Sequence, residues 1–168
     1  IRDNETAQMA IRAALTGHLV LSTIHTNSAW GIVTRLLDMG IQPFLLASTL
    51  NMAVAQRLLR KLCNHCKREV LDEVQTPIPR SSFKMPRIYY TPDGCPECNF
   101  TGYSGRIAVF EIVEICEELR QAVKAGKTEI NEFMKSRQIS KLSSTAYELF
   151  CRGEASFDEI LPLLMTEF

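Results

Sequence analysis

Thr16-Gly17-His18-Leu19-Val20-Leu21-Ser22-Thr23-Ile24-His25-Thr26-Asn27 is the stretch on which the reading of this chain turns. Leu19, Val20, Leu21 and Ile24 form a short apolar run, set off by Gly17 from a helical pattern before it. Such a run between helices suits a parallel strand covered on both faces. Open parallel sheets bind ligands just beyond the carboxyl ends of their strands. Thr23, His25, Thr26 and Asn27 occupy that place. A single histidine at a strand end also serves as an ordinary surface hydrogen-bonding residue, so position alone leaves both roles open.

Working outward, Asp3 is placed to cap a helix over residues 4–16, closed by Gly17. Arg2, Asp3 and Glu5 then read as a helix start with acids well placed for the dipole. Downstream, Asn27 caps an expected helix at 27–39, stopped by Gly40, with Ile32, Val33, Leu36 and Leu37 as its apolar stripe. Pro43 suits the first turn of a third helix, expected over 43–61. Phe44, Leu45, Leu46, Leu50, Val54, Leu58 and Leu59 are spaced to bury one broad face of it. Gln56, Arg57, Arg60 and Lys61 then read as a solvated basic helix end.

Cys63-Asn64-His65-Cys66 and Cys95-Pro96-Glu97-Cys98 form two Cys-x-x-Cys pairs with 28 residues between them. A two-residue gap turns both thiolates of a knuckle toward one metal at about 2.3 Å, and two knuckles complete a tetrahedron. Cys63, Cys66, Cys95 and Cys98 are therefore the expected ligands of a structural zinc. His65 is expected to stand by. A closed site of this kind has no open position for catalysis. Between the pairs, Thr76-Pro77-Ile78-Pro79-Arg80 and Met85-Pro86-Arg87 prevent a long helix or central strand, with Leu71 and Phe83 expected to tuck inward.

Past the second knuckle, Gly102-Tyr103-Ser104-Gly105-Arg106 reads as a turn into a β-rich run at 107–113. Gly126-Lys127-Thr128 imitates the end of a phosphate-binding loop. The required first glycine is replaced by Gln121, and no strand precedes it. Gly126 is instead read as a helix stop and Thr128 as the next N-cap. Helices are expected at 117–124, 129–137 and 141–152, and Ser156-Phe157-Asp158-Glu159 reads as a capping box opening a last one to 164. Cys116 and Cys151 lack knuckle partners and are expected as small buried hydrophobes.

The 168 residues, 46% of them hydrophobic, suffice for a sizeable core. Nineteen basic side chains balance nineteen acidic ones, which removes a global field for nucleic acid or anionic membrane. No apolar run approaches the roughly 20 residues that span a bilayer. Cysteines in metal-type pairs point to a reducing cytosol. The chain opens on Ile1 inside what reads as a motif, so a piece of a larger protein is expected.

Ile1-Arg2-Asp3-Asn4-Glu5-Thr6-Ala7, the stretch from Ala14 to Asn27, Arg35-Leu36-Leu37-Asp38-Met39-Gly40, Gln56-Arg57-Leu58 and the paired cysteines together resemble the secretion and pilus-assembly traffic ATPases. These are the motors of type II secretion and type IV pilus assembly. The first segment resembles the tail of their Walker B motif, and the second their histidine box. The resemblance covers nearly the whole chain, thinning toward the C-terminus, and it extends to the Gly-Tyr-x-Gly-Arg turn.

It implies an α/β fold in three parts. Residues 1–62 would be the C-terminal part of a RecA-like P-loop ATPase core, 63–104 a four-cysteine zinc insertion, and 105–168 a strand return with a helical subdomain. It also implies a hexameric ring that hydrolyses ATP with Mg at the cytoplasmic face of the inner membrane. The ring would work against a membrane platform or adaptor protein, with no nucleic acid involved. His25 would sense or stabilise the γ-phosphate, with Thr23 and Thr26 positioning it. The family's catalytic carboxylate would lie just before Ile1, and Arg57 could face a partner or the nucleotide. Without a Walker A loop, this stretch alone is not expected to hold ATP tightly. The competing class is a non-enzymatic, zinc-stabilised module that binds protein or nucleic acid. Lys67 and Arg68 beside the first knuckle favour it. Overall neutrality and the lack of aromatics among the basic residues weigh against nucleic acid.

Overall fold

The computed structural model of the chain describes residues 1–71 and 86–165. They form α1 (Asn4–Leu15), α2 (Gly31–Asp38), α3 (Pro43–Thr49), β1 (Met52–Leu62), β2 (Arg68–Val70) and β3 (Tyr89–Thr91). A 3-10 turn (Pro96–Cys98), β4 (Tyr103–Glu114), α4 (Glu117–Lys124), α5 (Asn131–Ser136), α6 (Leu142–Cys151) and α7 (Phe157–Met165) follow. The chain divides into two compact units, Ile1–Ala55 with Glu111–Ser140 and Gln56–Phe110 with Lys141–Phe168. No helix of the described residues is long and apolar enough to cross a membrane.

In the first unit, α1 starts as its sequence dictates. The Thr6 amide donates to Asp3 Oδ1 at 2.8 Å, and these bonds from Thr6 hold the Asp3 carboxyl below the usual carboxylate range. Gly17 closes the helix at a φ of 90°. The core forms where α1, α2 and α4 pack on α3, around Leu46, Val33, Leu119 and Val123, all essentially without solvent access.

Several expectations for this unit fail. α2 begins at Gly31 rather than at 27, and Trp30, not Asn27, is the residue that precedes it. The run at 19–24 is not a strand: it joins no ladder among the described residues, and Leu19 and Leu21 are 87% and 86% exposed. A buried strand exists only by pairing. The two sheets among the described residues, β1 with β4 and β2 with β3, do not include it. The third helix ends at Thr49, and Met52–Leu62 is a strand. Its burial alternates, with Ala53, Ala55 and Leu59 inward and Met52, Val54 and Leu58 outward. Alanine, leucine, arginine and lysine favour helix, but the ladder to β4 overrides that weak preference. At one end of this pair the Ile115 amide donates to the Asn51 carbonyl at 2.9 Å, and at the other the Cys63 amide donates to the Gly102 carbonyl at 3.0 Å. The two strands therefore run antiparallel.

The second unit is built on Phe150, which is fully buried among Tyr89, Tyr147 and Phe157. β2 and β3 pair antiparallel, with Glu69 opposite Tyr90. The α6–α7 turn is tied to β1 by the Leu62 amide donating to the Glu154 carbonyl at 2.8 Å.

The helices of the C-terminal third lie where the sequence put them, with shifts at their ends. Ile130 rather than Thr128 precedes α5, and Pro162 is accommodated inside α7. Both Glu159 oxygens accept from Arg60. Cys116 is half-buried and Cys151 exposed, against the expectation of burial, since each falls at a helix end rather than on a packed face. Leu71 and Phe44 are exposed rather than buried as expected. The expectations for Phe83, Thr76-Pro77-Ile78-Pro79-Arg80 and Met85 lie outside the described residues.

Candidate metal centre and the His25 loop

Cys63 directly follows β1, and Cys66 comes next in the turn closed by the Lys67 amide on the Cys63 carbonyl, 2.9 Å. Cys95 and Cys98 bracket the 3-10 turn. The structure brings all four thiols together, with every Sγ within 4.8 Å of the others. Cys63 to Cys95 is 3.9 Å, and Cys66 to Cys98 and Cys95 to Cys98 are both 3.8 Å. A tetrahedron with metal–sulfur bonds of about 2.3 Å has sulfur–sulfur edges of about 3.8 Å. The donor set and its size therefore fit a tetrahedral thiolate-binding metal. His65 is exposed and outside the cluster.

The backbone around the thiols prepares them for negative charge. The Gly94 amide points at Cys66 Sγ (3.3 Å), and the Cys95 and Gly102 amides point at Cys98 Sγ (3.3 and 3.2 Å). Burial pushes the Cys98 thiol up, but the two amide donors outweigh it and bring it down to about 6. At Cys66 burial dominates and pushes the thiol up to about 11. Burial raises Cys95 as well. Gly102 binds the two knuckles together, accepting from the Cys63 amide while donating to Cys98. It has a φ of 78°, and a Cβ there would lie 2.4 Å from Pro92 Cβ. Only glycine fits. Lys67 fastens the first knuckle to α6, its Nζ donating to the Gly153 carbonyl at 2.9 Å and lying 4.8 Å over the Tyr90 ring.

The second expected site is a loop rather than a strand end. Thr23 and His25 are exposed, while Thr26 is half-buried with its hydroxyl donating to the Ser28 carbonyl at 3.0 Å. Beyond them the turn at 27–30 is firmly held. The Ala29 amide donates to Glu111 Oε1 at 2.7 Å, the Gly31 amide to Ser28 Oγ at 3.1 Å, and the Trp30 indole to the Lys127 carbonyl at 3.2 Å. The structure thus accounts for Trp30 and Gly31, to which sequence patterning assigned no role. A Cβ on Gly31 would meet Ser28 Oγ at 3.1 Å and Thr26 Cβ at 3.5 Å.

Other residues fall as follows. Asp3 is a helix cap. Arg57 lies on β1 rather than at a helix end, donating to the Gln56 carbonyl at 2.8 Å. Sequence reasoning missed Glu111, although the signal was present. An acid in Val109-Phe110-Glu111-Ile112-Val113 shares the inward alternation of Val109 and Val113, and all three are buried.

Residues 1–162 match the family model described as "Type II/IV secretion system protein". The chain is 40% identical over 162 residues to the type II secretion system protein E of Klebsiella pneumoniae, covering 96% of this chain and 32% of that protein. It is 42% identical to the type II secretion system ATPase E of Vibrio cholerae (96% and 32% covered). To the type IV pilus assembly ATPase TfpB of Acinetobacter baylyi it is 44% identical (96% and 28%). The chain thus spans about a third of the length of these relatives. Among solved structures, the pilus retraction motor PilT with bound ADP superposes with a TM-score of 0.63 at 22% identity, covering 97% of this chain and 37% of that one. The Yersinia pseudotuberculosis ATPase DotB gives a TM-score of 0.60 at 19% identity, covering 98% and 35%. The chain therefore shares an α/β fold with these proteins.

Proposed function

Because this chain belongs to the type II/IV secretion system protein family, we propose that it forms the C-terminal part of the RecA-like core of a motor that hydrolyses ATP to drive type II secretion or type IV pilus assembly. The observation that carries this reading is the match across residues 1–162, shared with relatives named as ATPases of both systems. In this reading the intact protein works as a hexameric ring at the cytoplasmic face of the inner membrane, against a membrane-embedded platform or adaptor.

ATP with Mg supplies the phosphoryl chemistry. This chain contains no glycine-rich phosphate loop, so its share is a set of polar groups presented to the nucleotide. The His25 imidazole donates to charge developing on the γ-phosphate, where a preorganised donor lowers the barrier. The Thr23 and Thr26 hydroxyls orient the phosphate end. The fastened turn at 27–30 supports this role, since it gives the exposed His25 a rigid footing.

Zinc is the metal we assign to Cys63, Cys66, Cys95 and Cys98. Four thiolates leave it no open position, so it stabilises the fold and takes no part in turnover. ATP hydrolysis by the full-length protein that carries this chain tests the proposal. We expect turnover that depends on Mg and on assembly into a ring. A ring without ATPase activity would leave the chain a zinc-stabilised binding module.

A further inference from the structure

We infer that Glu111 is the positioning residue of the His25 loop: its buried carboxylate fixes the backbone turn on which His25 is mounted. The inference rests on the reading of His25 given above and extends it to a residue 86 positions away in the sequence (111 minus 25).

Glu111 lies in the C-terminal third of β4 (Tyr103–Glu114) and is only 4% exposed, between the fully buried Val109 and Val113. An apolar side chain at that inward position would pack at no cost. A carboxylate there loses its hydration and is retained only with a strong hydrogen-bond partner. One such partner is the amide of Ala29, at 2.7 Å across 82 residues of sequence. Ala29 is itself without solvent access, so its N–H has no water to turn to if the carboxylate is removed.

The loop needs this fastening. Upstream it is held where the His18 amide donates to the Ala13 carbonyl at 3.1 Å. From there to His25 the backbone joins no ladder among the described residues. Between the two the Ile1 amino group donates to the Thr23 carbonyl at 2.5 Å. On the other side of His25 lies the turn at 27–30, where Glu111 and the Trp30–Lys127 bond tie it to β4 and to the segment after α4. A catalytic donor acts only within a fraction of an ångström of its productive position, so loosening its footing reduces turnover more than binding.

The test uses the full-length protein and compares wild type, Glu111→Gln, Glu111→Leu, His25→Ala and the His25→Ala/Glu111→Leu double variant. Glutamine keeps an oxygen acceptor for Ala29, and leucine keeps the packing without it. We expect Glu111→Leu to lower kcat about tenfold or more with the ATP KM within about twofold of wild type. Glu111→Gln should recover most of that loss. The double variant should be no slower than His25→Ala alone, since the two residues act as one unit.

Wild-type kcat in Glu111→Leu beside an inactive His25→Ala overturns the role of Glu111 and leaves the His25 reading intact. Independent, multiplying losses overturn it as well. Full activity in His25→Ala overturns the His25 reading, and the positioning role with it. Trp30, the one tryptophan of this chain, reports on the turn without reference to activity once any tryptophan elsewhere in the full-length protein is replaced by phenylalanine. Its emission should shift to the red in Glu111→Leu and hold in Glu111→Gln; an unchanged spectrum in Glu111→Leu overturns the anchoring. If Glu111→Leu does not fold, Glu111→Asp, which draws the carboxylate one methylene back from the Ala29 amide, must show the same selective kcat loss or the inference falls.

Discussion

Glu159 holds Arg60 by three donors at once: the Arg60 backbone amide at 2.7 Å, Nε at 2.9 Å and Nη2 at 2.6 Å. The bond joins α7 to β1 within the second unit, across 99 residues of sequence. The same guanidinium lies 4.0 Å above the Tyr103 ring, and the Tyr103 hydroxyl meets Ser156 Oγ at 2.9 Å. One arginine and one tyrosine thus hold the start of α7 against both long strands. The Glu159 side chain is 16% exposed, whereas Arg60 is 55% exposed. The carboxylate is therefore the desolvated partner.

This pair gives stability a pH dependence of known sign. Burial would raise the Glu159 carboxyl, but its hydrogen bonds with Arg60 outweigh that and bring it below the ordinary value of 4.5. A carboxyl depressed in the folded state contributes stability above its unfolded value, and that contribution is lost as pH falls through the folded value. We expect Glu159→Gln to cost about 1 kcal/mol at neutral pH, a figure reduced for the exposure of Arg60. The gap should close in denaturant titrations below about pH 4, where the wild-type carboxyl also becomes neutral. A constant gap across the range would contradict the assignment.

The four-thiol centre predicts one zinc per chain. Metal analysis of the purified protein should give that ratio, and Cys63→Ser or Cys98→Ser should lower it. Chelation should reduce the melting temperature by more than about 5 °C. Binding must displace the proton that burial keeps on Cys66, pushed up to about 11, so metal affinity should fall as the pH is lowered. A stable, metal-free wild-type protein with an unchanged melting temperature would rule out a structural role.

The sequence disclosed this centre because each knuckle is local: two cysteines three apart define a turn and a pair of ligands. The C-terminal helices were legible for the same reason, being punctuated by Gly126 and Gly153. β1 was hidden, since its residues are good helix formers and its strand state comes from β4, some fifty positions later. The run at Leu19 has the composition of a buried strand, but composition does not supply a partner. Ala29 with Glu111 and Arg60 with Glu159 lie 82 and 99 residues apart. Such pairs leave no local trace beyond an acid set in an apolar strand.

Gly153 closes α6 at a φ of 67°, and a Cβ there would lie 2.4 Å from the Tyr90 ring. Gly153→Ala therefore meets both a left-handed backbone penalty of about 1–2 kcal/mol and a collision with the ring that carries Lys67. We expect a destabilisation larger than the backbone term alone, read from thermal or denaturant unfolding. Tyr90→Ala should relieve part of it in the double variant, and simple additivity would contradict the collision.

The central claim is that this chain contributes His25 to ATP hydrolysis, and kcat for ATP in the full-length His25→Ala protein tests it most directly. The account predicts a loss of about a hundredfold or more, the scale for removing a donor to developing charge. Nucleotide binding, ring assembly and the melting temperature should remain at wild-type values. A His25→Ala ring that hydrolyses ATP at the wild-type rate would contradict it.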